Sequence, residues 1–558
     1  MADDALPVER LTTPTPTPTP TRTGGAPVHP GPSAALGADG SVVNWTKVFL
    51  GFGGMIIGQF MAMLDIQIVA SSLVQIQAGI GATSDEISWV QTIYLLAEVV
   101  IMPLTAYLTK MWGTQRFYVV ASIAFIVTSV ATGLSSSVDM MILTRALQGL
   151  AAGAMIPPIF ATAMTVFPPE RRTSANVLVG LIVTLAPTVG PTLGGHITEA
   201  LSWRWLFFIN VPVGVLVVFL VSRYGNFDKP DPRLAKGIDW WGLGLMTVFL
   251  LAMQFVLEEG AKNSWFQDDG ILWLTVLAVL TGAAFIWRQL TYRQPIVSLK
   301  PFADRNFTLG IIMTFVTGMS LFGGTFLLPI YLGQVRGYSA AEVGTTMLVS
   351  GLTMFLCAPI VGRMVRVVDA RIAMLVGFSL TAWAIGLGAR ITDDWGFREF
   401  LTLQVVRGMG SMIAMISAQM MTISTLPVTM MKDASGLINL IRNVAGAIGL
   451  AVIATILTNQ TASHYTDIAS MVSTANAASQ EMMSGLTGMM SGAGMADPES
   501  GARKAYSMLM RRQAAVLSFG DAFMFLSLGC WMAAFLALFA KPGAAMPGPS
   551  DTRAGGAH

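Results

Sequence analysis

The sequence predicts an all-α polytopic membrane protein, and three observations support this fold class. Of 558 residues, 53% are hydrophobic and 11% are charged, whereas about a quarter of the residues in a soluble domain are charged. From Trp45 onward the chain is a series of apolar runs, each close to the roughly 20 residues that cross a hydrocarbon layer of about 30 Å. Thirteen polar breaks separate these runs, so we expect fourteen transmembrane helices. The breaks lie at 80–86, 110–116, 135–139, 168–173, 200–204, 225–239, 261–270, 288–306, 333–342, 363–372, 391–399, 428–434 and 460–514.

The composition excludes several functions. With 33 Lys and Arg against 31 Asp and Glu, the chain has a formal net charge of +2 and no basic excess that could neutralise nucleic-acid phosphates. Both cysteines, Cys357 and Cys530, lie within apolar runs and offer no disulfide framework or metal-ligand spacing. The sequence contains no phosphate-binding Gly-x-x-x-x-Gly-Lys-Ser/Thr loop, no His-Glu-x-x-His helix and no Gly-x-Ser-x-Gly elbow. We therefore expect no enzymatic activity, no metal and no cofactor, and transport would depend on an ion gradient.

The two ends of the chain predict polar tails on the same side of the membrane. Residues 1–44 are rich in Pro and Thr and lack the apolar segment of a signal peptide, so we expect them to be disordered. Sixteen Lys and Arg lie in or beside the even-numbered breaks, and four lie in the opposite short loops. Because basic residues are enriched in cytoplasmic loops, both the first tail and the second, 541–558, are predicted to be cytoplasmic.

An internal repeat divides the chain into two halves. The segment 103–110 reappears as 359–366, with the same order of Pro, small, apolar and basic residues. Arg145, which precedes a Gln-Gly pair, is echoed by Arg407. Such parallel repeats predict two six-helix bundles, two inserted helices and a binding site between the halves near the midplane. The predicted bundles cover residues 45–225 and 307–540, and the inserted pair with its linkers covers residues 226–306.

Asp65 lies about twenty residues into the first predicted span. An ionisable residue at that depth costs about 2.5–3.5 kcal/mol on insertion scales, so it should face a cavity or a partner. A buried carboxyl group can bind and release a proton near neutral pH, which makes Asp65 the candidate proton carrier. The alternative is that the span ends earlier and Asp65 is solvated. Gln67, two positions later, faces roughly the opposite side of the helix.

Arg145 lies near the start of the fourth span. Its spacing to Gln148, Gly149 and Gly153 places all four residues on one helical face, where the glycines allow close approach of another helix. The guanidinium stays charged and can modulate a nearby carboxylate. The alternative is an interfacial anchor whose charged end reaches the headgroups.

The fifth span contains a segment rich in Pro and Gly between Ala186 and His196. Proline removes a backbone hydrogen bond and glycine leaves no side chain, so this segment predicts a hinge or a closely packed seal. A structural kink is the alternative. The residues assigned to this conformational segment are Gly190, Pro191, Gly194 and Gly195.

Other polar and polarizable residues give weaker indications. Glu98 in the second span predicts a second protonation site or a cation-recognition site, or else a buried carboxyl satisfied by hydrogen bonds. Arg407 and Arg442 are expected to brace the second half. A methionine cluster suits a promiscuous pocket, although ordinary helix packing explains it equally. The candidate residues of a substrate cavity are Gln59, Gln67, Gln148, Met409, Met412 and Gln419.

Together these motifs resemble the major facilitator superfamily, and within it the fourteen-span drug:proton antiporters of the EmrB/QacA type. The similar segments are 64–69, 103–116 with Lys110 and Gly113, 145–153, 190–195 and 203–214. The resemblance implies proton-coupled export of hydrophobic, often cationic compounds, with conformational roles for residues 103–116 and 190–195. Four positions depart from the family pattern. Gln67 replaces a threonine and Ala70 an asparagine, Lys110 stands where the wider superfamily has an acidic residue, and Glu98 stands where relatives carry a small residue.

The long break at 460–514 resembles the corresponding external loop of EmrB proteins. Those relatives work with a periplasmic EmrA-like adaptor and a TolC-like outer-membrane channel, which implies a bacterial inner membrane and its lipids as the surroundings. An uninvolved flexible loop is the alternative. The sequence as a whole thus predicts a proton-driven multidrug efflux antiporter. Its alternatives are a proton-coupled exporter of an endogenous metabolite, fatty acid or siderophore and, from another class, a non-transporting membrane receptor or scaffold.

Overall fold

The computed structural model describes residues 45–338, 340–471, 477–495 and 497–540, and the predicted tails at 1–44 and 541–558 lie outside these ranges. Within them the regular secondary structure is helical. The α-helices are α1 (Trp45–Ser71), α2 (Leu73–Ile80), α3 (Ser84–Trp112), α4 (Thr114–Gly133), α5 (Val138–Thr165), α6 (Pro169–Ala200), α7 (Trp205–Phe208), α8 (Asn210–Tyr224), α9 (Trp240–Glu259), α10 (Asp269–Thr291), α11 (Arg305–Gln334), α12 (Ala340–Val367), α13 (Ala370–Leu387), α14 (Phe397–Ile423), α15 (Met431–Met471), α16 (Ala477–Gly492) and α17 (Pro498–Ala537).

The helices match the predicted spans in order. Thirteen helical stretches of the described chain are long and apolar enough to cross a membrane: α1, α3 to α5, α7 with α8, α9 to α15, and α17. The predicted fifth span corresponds to α6, which has 32 residues but is less apolar because of its charged first turn and its Thr-, Pro- and Gly-rich segment. The predicted all-α fold of two bundles and an inserted helix pair is confirmed.

The two bundles meet along a seam of four helix contacts. In the first half, α1, α3 to α6 and α8 pack together, and in the second half α11 to α15 pack with α17. Across the seam, α6 packs against α12 and α14, and α15 packs against both α3 and α5. The inserted helices α9 and α10 pack on each other, and α9 also contacts α3 and α15. The inserted pair therefore lies at the seam, beside one helix from each half.

The polar break predicted at 460–514 is helical over its described residues. Helix α15 continues to Met471, α16 packs against α17, and α17 begins at Pro498. The start of α17 has a proline in its first turn and a side-chain cap, since the carboxylate of Asp497 accepts a hydrogen bond from the backbone N–H of Ser500 at 3.1 Å. The drop in hydropathy thus marks where the chain leaves the apolar layer and not where the helices end.

Candidate functional site

Asp65 is buried inside the first bundle. The residue is 1% exposed, and α1 continues for six residues beyond it. The alternative of a solvated span end therefore does not describe this structure. The carboxylate faces α5 and α8, whereas Gln67 lies on the other side of α1, as the spacing predicts.

Three side chains donate hydrogen bonds to the Asp65 carboxylate. Arg145 Nη1 lies 2.6 Å from Oδ2, while Gln148 Nε2 and Asn210 Nδ2 lie 3.1 Å and 2.8 Å from Oδ1. The Asn210 amide also donates to the hydroxyl of Ser129 at 3.0 Å. Helices α1, α4, α5 and α8 therefore converge on one carboxyl group, and each contact requires an acceptor oxygen on Asp65.

Arg145 is held from several directions and is fully buried. Its Nε donates to the carbonyl of Val90 at 3.2 Å, its Nη1 also donates to Gln148 Oε1 at 3.0 Å, and its guanidinium lies 4.0 Å from the centre of the Tyr94 ring. Within the described chain, Nη2 has no hydrogen-bond partner. Breaking a buried ion pair is costly because it leaves an uncompensated charge. Any proton that binds Asp65 must therefore be accompanied by a rearrangement of Arg145.

Glycines set the close approach that brings these groups together. A Cβ on Gly149 would clash with the backbone of Tyr94, and a Cβ on Gly153 would clash with the backbone of Glu98. Helix α5 therefore lies directly against α3, which places Arg145 beside the Val90 carbonyl. The spacing of residues 145–153 predicts this arrangement.

The Gly- and Pro-rich segment of α6 packs against α1. Gly190 faces Gln67, and Gly194 faces Ser71 and the backbone of Ile68, whereas a side chain at Gly195 would point into open space. The side chain of Pro191 lies outside the described part of the structure. The absence of side chains at 190 and 194 thus lets α6 contact the helix that carries Asp65.

A cavity of about 140 Å³ lies at the seam between the two halves. Glu98, which is 3% exposed, reaches its wall, as does Asn443 of the opposite half. Gln67 lines the same cavity from α1. The other lining residues are Met63, Ile66, Gln91, Leu95, Val99, Gln254, Glu258, Leu321, Phe322, Thr325, Asn443, Gly446, Ala447 and Leu450.

Of the six residues predicted for a substrate cavity, only Gln67 lines this one. Gln148 is bound to Asp65, and Gln59 is fully buried in the first bundle, 4.0 Å from the sulfur of Met63. Gln419 donates to Asn176 across the seam at 3.1 Å. Met412 is buried and Met409 partly buried in the apolar core of the seam, so these two side chains pack helices together.

The two buried arginines of the second half, Arg407 and Arg442, have neutral partners among the described residues. Arg407 donates to Gln404 at 3.1 Å and to Ser350 at 3.3 Å. Arg442 donates to Asn439 at 3.4 Å, and its guanidinium lies 5.3 Å from the Phe160 ring of the first half. Both side chains brace helices within or across the halves.

Ion pairs join the halves at the end of α3. Lys110 Nζ lies 2.6 Å from Asp433 of the second half, and Lys432 of the second half pairs with Asp228 of the first. Asp228 also accepts hydrogen bonds from the backbone N–H and the hydroxyl of Thr114, both at 2.8 Å. The turn before Thr114 contains Gly113 with φ +82°, a value that favours glycine. Lys110 therefore forms its ion pair with Asp433, an acid of the second half, across the seam.

Sequence reasoning missed several residues of these sites. Asn210 and Ser129 complete the Asp65 cluster, and Glu258 and Gln254 of the inserted pair line the seam cavity. Asn210 lies within the 203–214 segment that resembles the family, so its position there is the signal that could have identified it. Glu258 carried no such signal, because a carboxylate next to a predicted break is ordinarily solvated.

The comparisons with known proteins agree with this architecture. The family model of the Major Facilitator Superfamily matches residues 55–450. The chain is 35% identical to the colistin resistance protein EmrB of Acinetobacter baumannii, over 88% of this chain and 96% of that relative. It is 32% identical to the multidrug export protein EmrB of Escherichia coli (strain K12), over 90% of this chain and 96% of that relative.

A solved structure shows the same fold. The crystal structure of the human organic anion transporter MFSD10 aligns with a TM-score of 0.52, covering 87% of this chain and 99% of that one. At 11% sequence identity this likeness concerns the fold alone. The resemblance drawn from the motifs is thereby confirmed: this multi-span membrane chain belongs to the Major Facilitator Superfamily, a family of transporters rather than enzymes, among its EmrB-type members.

Proposed function

We propose that this protein is a proton-driven multidrug exporter of hydrophobic or cationic compounds, with Asp65 as its proton carrier and Arg145 as the modulator of that carrier. The observation that supports this function best is the buried Asp65 carboxylate with its Arg145 partner, inside a chain that is similar to multidrug export proteins over most of its length. The energy source is the proton gradient, and no cofactor takes part.

The geometry suggests how protonation is coupled to movement. A proton on Asp65 occupies one carboxylate oxygen and weakens the contacts that Arg145, Gln148 and Asn210 make with it. Helix α1 is then less firmly held against α5 and α8. Because Gln67 lies on the opposite side of α1, a rotation of that helix displaces a wall of the seam cavity and the contact with Gly190.

The predicted conformational residues fit this cycle. We infer that the Lys110 to Asp433 pair and the Lys432 to Asp228 pair hold the halves together at one end, and that Gly113 provides the turn for them. Gly190 and Gly194, which contact α1, form the surface on which that helix moves. These two ion pairs would act as a latch between the halves, even though position 110 is basic rather than acidic.

The test is pH-driven transport in proteoliposomes of the Asp65→Asn variant. We expect Asp65→Asn to elute normally on size exclusion and to exchange a fluorescent substrate downhill, but to lose accumulation driven by a pH step. Asp139→Asn is the matched control, because Asp139 is exposed in the first turn of α5, and it should transport like the wild type. Accumulation by Asp65→Asn at the wild-type rate would contradict the assignment.

We further propose that the protein lies in a bacterial inner membrane, with both termini cytoplasmic, and that it works with an EmrA-like periplasmic adaptor and a TolC-like channel. The helical segment formed by α16 and its flanking helices supports this, because it exposes large apolar side chains that a partner could cover. Met482, Met489 and Met508 are 49%, 73% and 69% exposed.

Site-specific photocross-linking in native membranes tests the adaptor proposal. A photoreactive residue at Met489 should cross-link to a periplasmic adaptor, whereas one at Trp241, which is equally exposed but lies on the inserted pair, should not. Met489→Cys in a background without the two native cysteines should also react with a membrane-impermeant maleimide added from the periplasm. Absence of the adaptor cross-link at Met489 would refute the partner, and absence of labelling would refute the orientation.

A further inference from the structure

The seam cavity is built from three parts of the chain. The first half contributes α1 and α3, the second half contributes α11 and α15, and the inserted pair contributes Gln254 and Glu258 from α9. The inserted helices are therefore part of the cavity wall and not merely an attachment to the transporter fold.

One polar group in this wall has no partner. Gln254 is 4% exposed, and its side-chain oxygen makes no hydrogen bond within the described chain. Leaving a buried acceptor unsatisfied destabilises the folded chain. A ligand that donates a hydrogen bond to this oxygen would remove that destabilisation.

Two carboxyl groups line the same cavity. Glu98 of α3 lies in its wall beside Asn443 of α15, and Glu258 of α9 lies in the same wall. Asn443 is neutral, so it does not compensate the charge of a carboxylate. An ionised carboxylate offers about four acceptor positions, which leaves room for further donors.

The nearest cations are already engaged. Arg145, which acts on Glu98 through space, is paired with Asp65, and Lys262, which acts on Glu258, is paired with Glu259 at 2.7 Å. None of the described residues that line the cavity is basic. Charges inside a membrane protein are normally paired, so a cationic ligand could pair with the two carboxyl groups of this wall.

We propose that the seam cavity is a binding site for compact organic dications whose nitrogens carry hydrogens, such as diamines. This proposal rests on the proposed exporter function and narrows its substrate class. Glu98 and Glu258 each pair with one positive centre, and Gln254 accepts a hydrogen bond from one of them. A quaternary ammonium group lacks the N–H that Gln254 requires, and a cavity of about 140 Å³ favours a small ligand.

The apolar part of the wall completes the site. Leu95, Phe322 and Leu450 line the same cavity and can pack against the hydrocarbon linker of such a ligand. Most ligand sites combine an apolar lining with a few polar groups that set orientation.

Equilibrium binding to the purified full-length protein tests the proposal without any gradient. The probes are 1,5-diaminopentane, n-pentylamine with one charge, and the bis-trimethylammonium analogue of the diamine, which has two charges and no N–H. The wild type should bind the diamine at least roughly tenfold more tightly than either other probe, the size of one charge-assisted hydrogen bond.

The variants separate the site from a structural effect. Glu258→Gln should reduce diamine affinity roughly tenfold and remove its advantage over n-pentylamine. Gln254→Met should weaken diamine binding while leaving the bis-trimethylammonium probe unchanged. Asp269→Asn is the matched control, because Asp269 is an exposed acid in the first turn of α10 of the inserted pair and is not among the residues that line the cavity, and it should bind like the wild type.

Three results would overturn the proposal: no saturable binding of the diamine, equal binding of the bis-trimethylammonium probe, or unchanged diamine affinity in Glu258→Gln. Failure of this inference is distinguishable from failure of the exporter function. If only the inference fails, pH-driven transport of a hydrophobic dye persists while diamine binding is absent. If only the exporter function fails, diamine binding persists while pH-driven transport is absent.

Discussion

The two halves of this protein contain the same arginine but differ in its partner. Arg145 of the first half is paired with Asp65, whereas Arg407, its echo in the repeat, is bound to the neutral Gln404 and Ser350. Gly324 lies where the second half would place a carboxylate, since a Cβ there would contact the Arg407 guanidinium. The repeat therefore places a buried arginine in both bundles. Among the described residues, Arg145 of the first bundle is paired with a carboxylate, whereas Arg407 of the second is not. Under the proposed function, this asymmetry would place the proton site in the first half.

The largest expected difference between the halves is in stability. Arg145→Met leaves the Asp65 carboxylate buried without its cation and should destabilise the protein by about 3–5 kcal/mol. Arg407→Met removes a buried cation that has no acid to compensate, so its cost should be below about 1.5 kcal/mol. Chemical unfolding in detergent, followed by intrinsic fluorescence, measures both. Equal losses of stability in the two variants would show that the two arginines have the same role and would contradict the proposed difference between the halves.

A second prediction concerns the glycine contacts that position Arg145. Gly153→Ala places a methyl group against the α3 backbone at Glu98 and should destabilise the protein by about 1–3 kcal/mol, with slower pH-driven transport. Gly485→Ala in α16 is the control, because a Cβ there meets nothing within 4 Å, and the change should be neutral or stabilising by up to about 1 kcal/mol. Unfolding curves and transport rates of both variants measure these effects. Unchanged stability and transport in Gly153→Ala would show that α5 is not tightly packed against α3.

A third prediction concerns the ion pairs that join the halves. Lys110→Asp and Asp433→Lys each place like charges opposite one another and should each slow pH-driven efflux several-fold, since like charges in contact repel. The double variant Lys110→Asp with Asp433→Lys restores an opposite pair and should recover most of the rate. A double-mutant cycle on efflux rates isolates the coupling between the two residues. Additive effects of the two changes would mean that the pair does not act as a latch.

The smallest expected effect lies in the second half. Gly324→Asp provides Arg407 with a carboxylate and should change stability by less than about 1.5 kcal/mol, because the new pair offsets the cost of burying the acid. Combined with Asp65→Asn, it should not restore pH-driven transport, since Gly324 packs in a half that lacks the amide cluster of Gln148 and Asn210. Rescue by Gly324→Asp would show that either half can carry the proton.

The sequence predicts the helices well because lipid imposes the same demand on every span. A run of about 20 apolar residues has few alternatives in a membrane, so the order of helices and the two halves follow from hydropathy and the repeat. Composition is less informative outside the apolar layer. The segment at 460–514 loses hydropathy but stays helical over its described residues, because helix formation depends on backbone hydrogen bonds and propensity.

The site was predictable in its residue types and less so in its contacts. Asp65 and Arg145 stand out because charges are costly in a span. Helical spacing places Gln148 on the face of Arg145, but it does not indicate which helix that face contacts. The sequence therefore suggests a substrate cavity for Gln148, whereas its side chain donates a hydrogen bond to Asp65. Glu258 lies at the end of an inserted span, so its position in the sequence does not indicate that it is buried. Its place in the seam cavity depends on packing between distant parts of the chain.

Proton release on substrate binding tests the central claim most directly. An ion pair between Asp65 and Arg145 that never opens would carry no proton, so exchange at this carboxyl group must accompany binding. With purified protein, a weakly buffered solution and a pH-indicator dye, adding a hydrophobic monocation such as tetraphenylphosphonium should release about one proton per bound cation in the wild type and none in Asp65→Asn. Equal proton release by the wild type and Asp65→Asn, at equal substrate binding, would contradict the account.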